Sequence, residues 1–142
     1  MKPSLTIREF RYPEDYQAVI DLWANAGPGI HLAKSDAEPE IKKKLQRDPD
    51  LFLVMEEEDK IIGAVLGGYD GRRGMVYHLA VTPKYQHHGI GKALMQALED
   101  RLRRKGCLKA YLLVTKDNDA ANFYESIGWG EMDLLIFGKE LA

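Results

Sequence analysis

The stretch Leu79-Ala80-Val81-Thr82-Pro83-Lys84-Tyr85-Gln86-His87-His88-Gly89-Ile90-Gly91-Lys92-Ala93-Leu94 constrains this chain more than any other. An apolar run leads through a Thr-Pro turn and a polar loop with two glycines into apolar residues at helical spacing, beginning at the second glycine. A strand feeding a helix in this way implies a right-handed crossover, so the strand after the helix lies parallel to the strand before it. A helix that starts on such a loop presents unpaired N–H groups and the positive end of its dipole to one spot. That arrangement binds phosphate without a charged side chain, and glycine lets the backbone come close to the anion.

Two phosphate-binding patterns are excluded. A P-loop requires a glycine where Gln86 stands and a Ser or Thr where Ala93 stands. A dinucleotide G-x-G-x-x-G loop requires its third glycine at Leu94. Gln86-x-x-Gly89-x-Gly91 remains as the pattern to be explained.

The rest of the chain alternates strands and helices. Residues 5–10 alternate apolar with polar as a first strand, and Tyr16, Val19, Ile20 and Trp23 form one apolar stripe on a helix begun near Pro13. Gly27-Pro28-Gly29 ends that helix, residues 27–39 read as a mobile loop, and residues 40–47 as a short second helix. Residues 51–55, 61–69 and 75–81 are strands, the last two joined by a hairpin loop over 70–74. The glycine-loop helix buries Ile90, Ala93, Leu94, Ala97, Leu98 and Leu102, and ends in Arg103-Arg104-Lys105-Gly106. A strand over 110–114, a helix over 119–127 and a last strand over 134–137 complete the pattern.

With 142 residues and no internal repeat, the chain is expected to form one domain spanning 1–142. A formal charge of −2 offers no electrostatic footprint for nucleic acid or an anionic membrane. The single cysteine, Cys107, excludes an intramolecular disulfide. No run approaches the ~20 apolar residues of a membrane span, and a cytoplasmic location is expected.

The Gln86-x-x-Gly89-x-Gly91 loop, between a Leu-Ala-Val strand and an amphipathic helix, resembles the (Arg/Gln)-x-x-Gly-x-(Gly/Ala) loop of the GCN5-related N-acetyltransferases (GNAT). Asn118 followed by Phe123-Tyr124-Glu125-Ser126-Ile127-Gly128-Trp129 resembles that family's second signature, and the order β-α-α-β-β-β-α-β-α-β is similar over nearly the whole chain. Gly67-Gly68-Tyr69-Asp70-Gly71 and Gly138-Lys139-Glu140-Leu141 resemble a YpeA-like bacterial subgroup. The resemblance implies an α/β (α+β) fold. Its sheet is mixed and mostly antiparallel, with a parallel β4/β5 pair splayed around acetyl-CoA and helices on both faces.

It also implies roles. Backbone groups of Leu79, Ala80 and Val81 pair with the pantetheine arm. The loop of Gln86, His87, His88, Gly89, Ile90, Gly91 and Lys92 holds the pyrophosphate. Asn118, or Asp117 because Asn118 precedes Tyr124 by six residues, bonds the pantetheine arm. Tyr124 protonates the departing thiolate. The implied reaction is transfer of an acetyl group from acetyl-CoA to an amine, either a small molecule or a protein N-terminus or lysine. Relatives that carry a Glu early in the fourth strand differ from this chain, which has Met75, Tyr77 and His78 there and no carboxylate. That absence keeps a non-catalytic acyl-CoA-binding module as the alternative.

Acetyl-CoA is thus the expected co-substrate, with an amine acceptor as the other partner; a homodimer is left open. No metal is expected, since neighbouring His87 and His88 do not converge on one ion and no spaced ligand set exists. His78 reads as a half-buried strand histidine and Cys107 as structural. Lys42-Lys43-Lys44 reads as a solvated helix face. Asp36, Glu38 and Glu40 read as carboxylates facing a cationic acceptor, and Tyr69 and Asp70 as acceptor-side residues.

Overall fold

The computed structural model describes residues 4–27, 30–116 and 120–142. Its elements run β1 (Leu5–Glu9), α1 (Tyr16–Ala24), a 3-10 turn (Lys34–Asp36), α2 (Glu38–Arg47), β2 (Phe52–Glu57), β3 (Lys60–Tyr69), β4 (Gly74–Val81), a second 3-10 turn (Pro83–Tyr85), α3 (Ile90–Arg104), β5 (Ala110–Leu112) and α4 (Ala121–Ser126). The strands form one sheet in chain order. β1 through β4 are antiparallel neighbours, whereas β4 and β5, joined through α3, are parallel. No helix among the described residues is long and apolar enough to cross a membrane.

Period-two alternation in the strands feeds two cores. Leu53, Met55 and Val65 point to one face, and Ile62, the extra residue of a bulge opposite Met55 and Glu56, joins them there under Leu94, Met95, Leu98 and Leu102 of α3. Phe52, Val54, Ala64 and Leu66 point to the other, under Val19, Leu22 and Trp23 of α1 and Ile41 of α2. Helices therefore lie on both faces. Trp23 and Phe10 both stack on the ring of Phe52, at 5.8 and 4.2 Å.

α3 begins at Ile90, one residue before the glycine that the sequence pattern suggests. It ends as expected: Gly106 adopts φ +88°, while the Gly106 and Cys107 N–H groups return to the Arg103 and Leu102 carbonyls at 2.9 and 3.1 Å. α2 starts at Glu38 with Pro39 in its first turn, two residues earlier than expected.

Three expectations need correction. Residues 27–39 are not simply a loop, because Lys34–Asp36 forms a 3-10 turn in which Asp36 is buried. Residues 134–137 form no strand, and Leu134, Leu135, Ile136 and Phe137 are 68, 86, 68 and 89 % exposed. A strand is made by its hydrogen-bonding partner, and β5 is only three residues long. Lys42-Lys43-Lys44 is not uniformly solvated: Lys44 is mostly buried and bonds Asp48 at 2.7 Å.

β4 carries the irregularity that shapes the site. Leu66 pairs with His78 but Gly67 pairs with Val76, so Tyr77 is an extra residue in β4. Beyond that bulge the strand leaves β5, whose pairing stops at Val76–Leu112.

Candidate active site

The Thr82 N–H donates to the Ile62 carbonyl of β3. Alternation in an antiparallel ladder then turns the N–H and C=O of Val81 and Leu79 to the opposite edge, where β5 has departed. A split results, with main-chain groups on one wall that β5 does not pair. Gln86 does not point into it, since its side-chain amide donates to the Val81 carbonyl at 3.0 Å and ties the loop to the strand end.

The split ends on the start of α3. Gly89 is the N-cap, and the first helical hydrogen bond is Ala93 N–H to the Gly89 carbonyl. The N–H groups of Ile90, Gly91 and Lys92 therefore have no partner within the helix. No side chain caps this end, its first turn has no acidic residue, and Lys92 adds an exposed cation. An anion is the complement of such an end. His87 and His88 are exposed in the loop, and His87 is left-handed at φ +65°.

The two glycines serve different needs. Gly89 has φ +82°, which an L side chain resists, and a Cβ there would meet nothing. A Cβ on Gly91 would lie 3.2 Å from Phe123 Cζ, so Gly91 is small to admit α4. Close approach to an anion is thus the lesser reason for Gly91.

α4 brings Phe123 and Tyr124, whose rings meet edge-on at 5.1 Å. Gly128 at φ +100° turns the chain so that the Trp129 N–H reaches the Tyr124 carbonyl at 3.0 Å, which accounts for Gly-aromatic at the end of the second signature. Burial pushes the Tyr124 phenol up to about 12. Its hydroxyl has no hydrogen-bond partner among the described residues. Asn118 and Asp117 lie outside the described residues.

A feature not anticipated from sequence stands on the other sheet face. His78 Nε2 lies 3.1 Å from Asp36 Oδ1, and the two side chains are only 18 and 7 % exposed. The edge of Trp23 meets the imidazole at 4.7 Å. Asp36, expected to face a cationic acceptor, accepts the Ala33 N–H on Oδ2 at 2.9 Å. Glu38 bonds Tyr12 and Glu40 bonds Lys43, so these carboxylates also have partners. Cys107 Sγ donates to the Lys109 carbonyl at 3.3 Å. Tyr69 and Asp70 hold their own turn: Tyr69 bonds the Gly71 carbonyl, and Asp70 accepts the Arg72 and Arg73 N–H groups. Among the described residues no group of three His, Cys, Asp or Glu side chains is placed to hold a metal.

A split parallel strand pair ending on an uncapped helix start invites comparison with proteins of known family. The Acetyltransferase (GNAT) family model matches residues 16–129. The chain belongs to this family. The match covers the loop, both signatures and the split, and makes the protein an acetyl-CoA-dependent acetyltransferase. An acetyltransferase of Pectobacterium atrosepticum is 43% identical over 138 residues, 96% of each chain. Among solved structures, the PaiA N-acetyltransferase of Thermoplasma acidophilum in complex with coenzyme A has the same fold. Its TM-score is 0.78 at 22% identity, covering 92% of both chains. The NatC complex bound to Gag peptide and CoA contains a chain matching at TM-score 0.77 and 22% identity, over 91% of this chain and 86% of that one. The overall fold is thus shared with both of these solved structures.

Proposed function

We propose that this GNAT protein moves the acetyl group of acetyl-CoA to an amine by direct attack in a ternary complex. The observation that carries this reading is the split itself. Main-chain groups of β4 that β5 does not pair form its wall, β4–β5 pairing at Val76–Leu112 closes one end, and the uncapped start of α3 forms the other. From Val76 to Val81 the open strand edge spans about 16 Å at the usual rise, room for an extended acyl-thioester arm. Main-chain N–H groups from His87 to Lys92 hold the pyrophosphate, and the Leu79–Val81 edge pairs with the pantetheine. The second signature assigns Asn118, or Asp117 in its place, to the pantetheine arm as well.

Chemistry follows from the placement. A thiolate leaves more readily with a proton, and a phenol pushed up to about 12 keeps that proton at neutral pH, so Tyr124 is the donor. An N–H of the split strand meets the oxyanion of the adduct. The acceptor is a primary amine on a small molecule or on a protein N-terminus or lysine. Coenzyme A and peptide in the NatC complex support the second class.

The test is release of free thiol from acetyl-CoA with a panel of polyamines, aminoglycosides and peptides, and mass-spectrometric detection of the acetylated product. Thiol release matched by an equal amount of N-acetyl product is expected. Tight acetyl-CoA binding without turnover on any amine would mark a non-catalytic acyl-CoA-binding module instead.

We also infer a homodimer. Among the described residues β5 is an outer strand paired on one side only, and Leu134, Leu135, Ile136 and Phe137 form an exposed apolar run that a second copy would cover. Light scattering should give about twice 16.1 kDa, and Ile136→Glu should halve it. A parent protein that stays at 16.1 kDa at all concentrations overturns this inference.

A further inference from the structure

We propose that His78 is the base that takes a proton from the incoming amine, held in its working tautomer by Asp36; this rests on the acetyl-transfer reading above. The first support is position. The acyl arm enters at α3 and its reacting end reaches the closed end of the split, where β4–β5 pairing resumes at Val76. His78 stands two residues from that point. The extra residue at Tyr77 turns both Tyr77 and His78 toward α1 and α2, for Tyr77 lies near Lys44 and His78 lies against Trp23. The opposite face is filled by α3 and by Tyr124 and Trp129 packed on its core. An amine therefore approaches the acyl carbon from the face that carries His78.

The second support is the hydrogen-bond pattern. A carboxylate only accepts, so Nε2 facing Asp36 Oδ1 at 3.1 Å carries the hydrogen, and Nδ1 keeps its lone pair. Asp36 is itself held on every side: Oδ2 accepts the Ala33 N–H, and the Tyr16 hydroxyl donates to its main-chain carbonyl at 3.0 Å. A buried carboxylate behind an imidazole also stabilises the imidazolium once the proton has arrived. The charged groups of α2 have partners of their own: Lys44 bonds Asp48 and Glu38 bonds Tyr12, while Tyr77 is the only other titratable side chain on β4. A histidine that served only to pin the 34–36 turn would need no exposure, yet 18 % of the His78 side chain is reachable.

The step balances. Nδ1 of His78 takes one proton from the ammonium, and the freed lone pair forms the C–N bond to the thioester carbon. The C–S pair leaves on sulfur, which takes the Tyr124 phenolic proton, and the second nitrogen proton of the adduct returns to the Tyr124 oxygen. His78 releases its proton to solvent, so one proton leaves per acetyl transferred.

The test is the pH profile of kcat for the parent, His78→Gln and Asp36→Asn, with coenzyme A affinity measured by calorimetry. His78→Gln is expected to lower kcat roughly 10²–10⁴-fold, to abolish the acidic limb, and to leave coenzyme A affinity within twofold. Asp36→Asn is expected to lower kcat less than His78→Gln does, with coenzyme A affinity within twofold of the parent, because the imidazole remains but loses the carboxylate that orients it. Should His78→Gln melt below assay temperature, Asp36→Asn decides alone, and a folded variant that keeps the parent's kcat overturns the proposal. An unchanged acidic limb in folded His78→Gln also overturns it. A parent that transfers no acetyl group at all refutes the acetyl-transfer reading instead, so the two failures are distinct.

Discussion

Replacing Tyr124 by Phe removes one oxygen from a half-buried ring. Because that hydroxyl has no partner among the described residues, the change breaks no hydrogen bond within the described fold. Its stability cost should stay below about 0.5 kcal/mol, a melting shift of no more than roughly 2 °C for a domain of this size. The ring stays against Phe123, so the wall of the split keeps its shape. What is lost is the proton for the leaving sulfur, worth roughly 10²–10⁴-fold, or about 2.7–5.5 kcal/mol of transition-state stabilisation. Single-turnover thiol release, followed by rapid mixing with saturating acetyl-CoA and amine, should fall by that factor while acetyl-CoA affinity changes less than twofold. The pH dependence carries a second check. With the phenol up at about 12, the donor holds its proton throughout the range from about 6 to 10. Parent and variant should therefore give profiles of the same shape over that range, the variant displaced downward. A variant whose single-turnover rate stays within threefold of the parent refutes the assignment, and Tyr124 is then a packing residue only.

Gly89→Ala should lower coenzyme A affinity several-fold through about 1–2 kcal/mol of left-handed strain at φ +82°. Gly91→Val should instead displace Phe123, lowering kcat and melting temperature more than affinity; the reverse pattern in calorimetry would show that the two glycines have been misassigned. Burial works against the Asp15 carboxylate, but the Arg8 guanidinium at 2.7 and 3.0 Å and the Arg11 N–H hold its carboxyl below the usual range. Its contribution is present above the unfolded value near ~3.9 and is lost as pH falls below it. Asp15→Asn should therefore flatten the acid limb of the urea-derived stability curve, and parallel curves for parent and variant would contradict this.

The local parts of the fold were legible because their causes are local. Spacing of Leu94, Leu98 and Leu102 places α3, Gly106 ends it, and the crossover rule makes β4 and β5 parallel. The glycine loop was legible too, although its two glycines were credited with one reason where the structure supplies two. What sequence could not show lies between distant segments. Asp36 and His78 are 42 residues apart and meet only because the extra residue at Tyr77 turns the strand toward α1. Nothing in the order Met75-Val76-Tyr77-His78 announces a bulge, since it depends on how β3 and β4 are paired across the sheet. The same reason explains 134–137: its continuous apolar run suits a strand, but a strand requires an edge to pair with, and no edge is written into the segment itself. Sequence alone thus determined the periodic elements, the glycine loop that leads into α3 and the family they belong to. Only tertiary structure decided where β4 leaves β5, which imidazole a carboxylate backs, and which apolar segment stays uncovered. Each of those is a contact between residues that the chain order keeps apart.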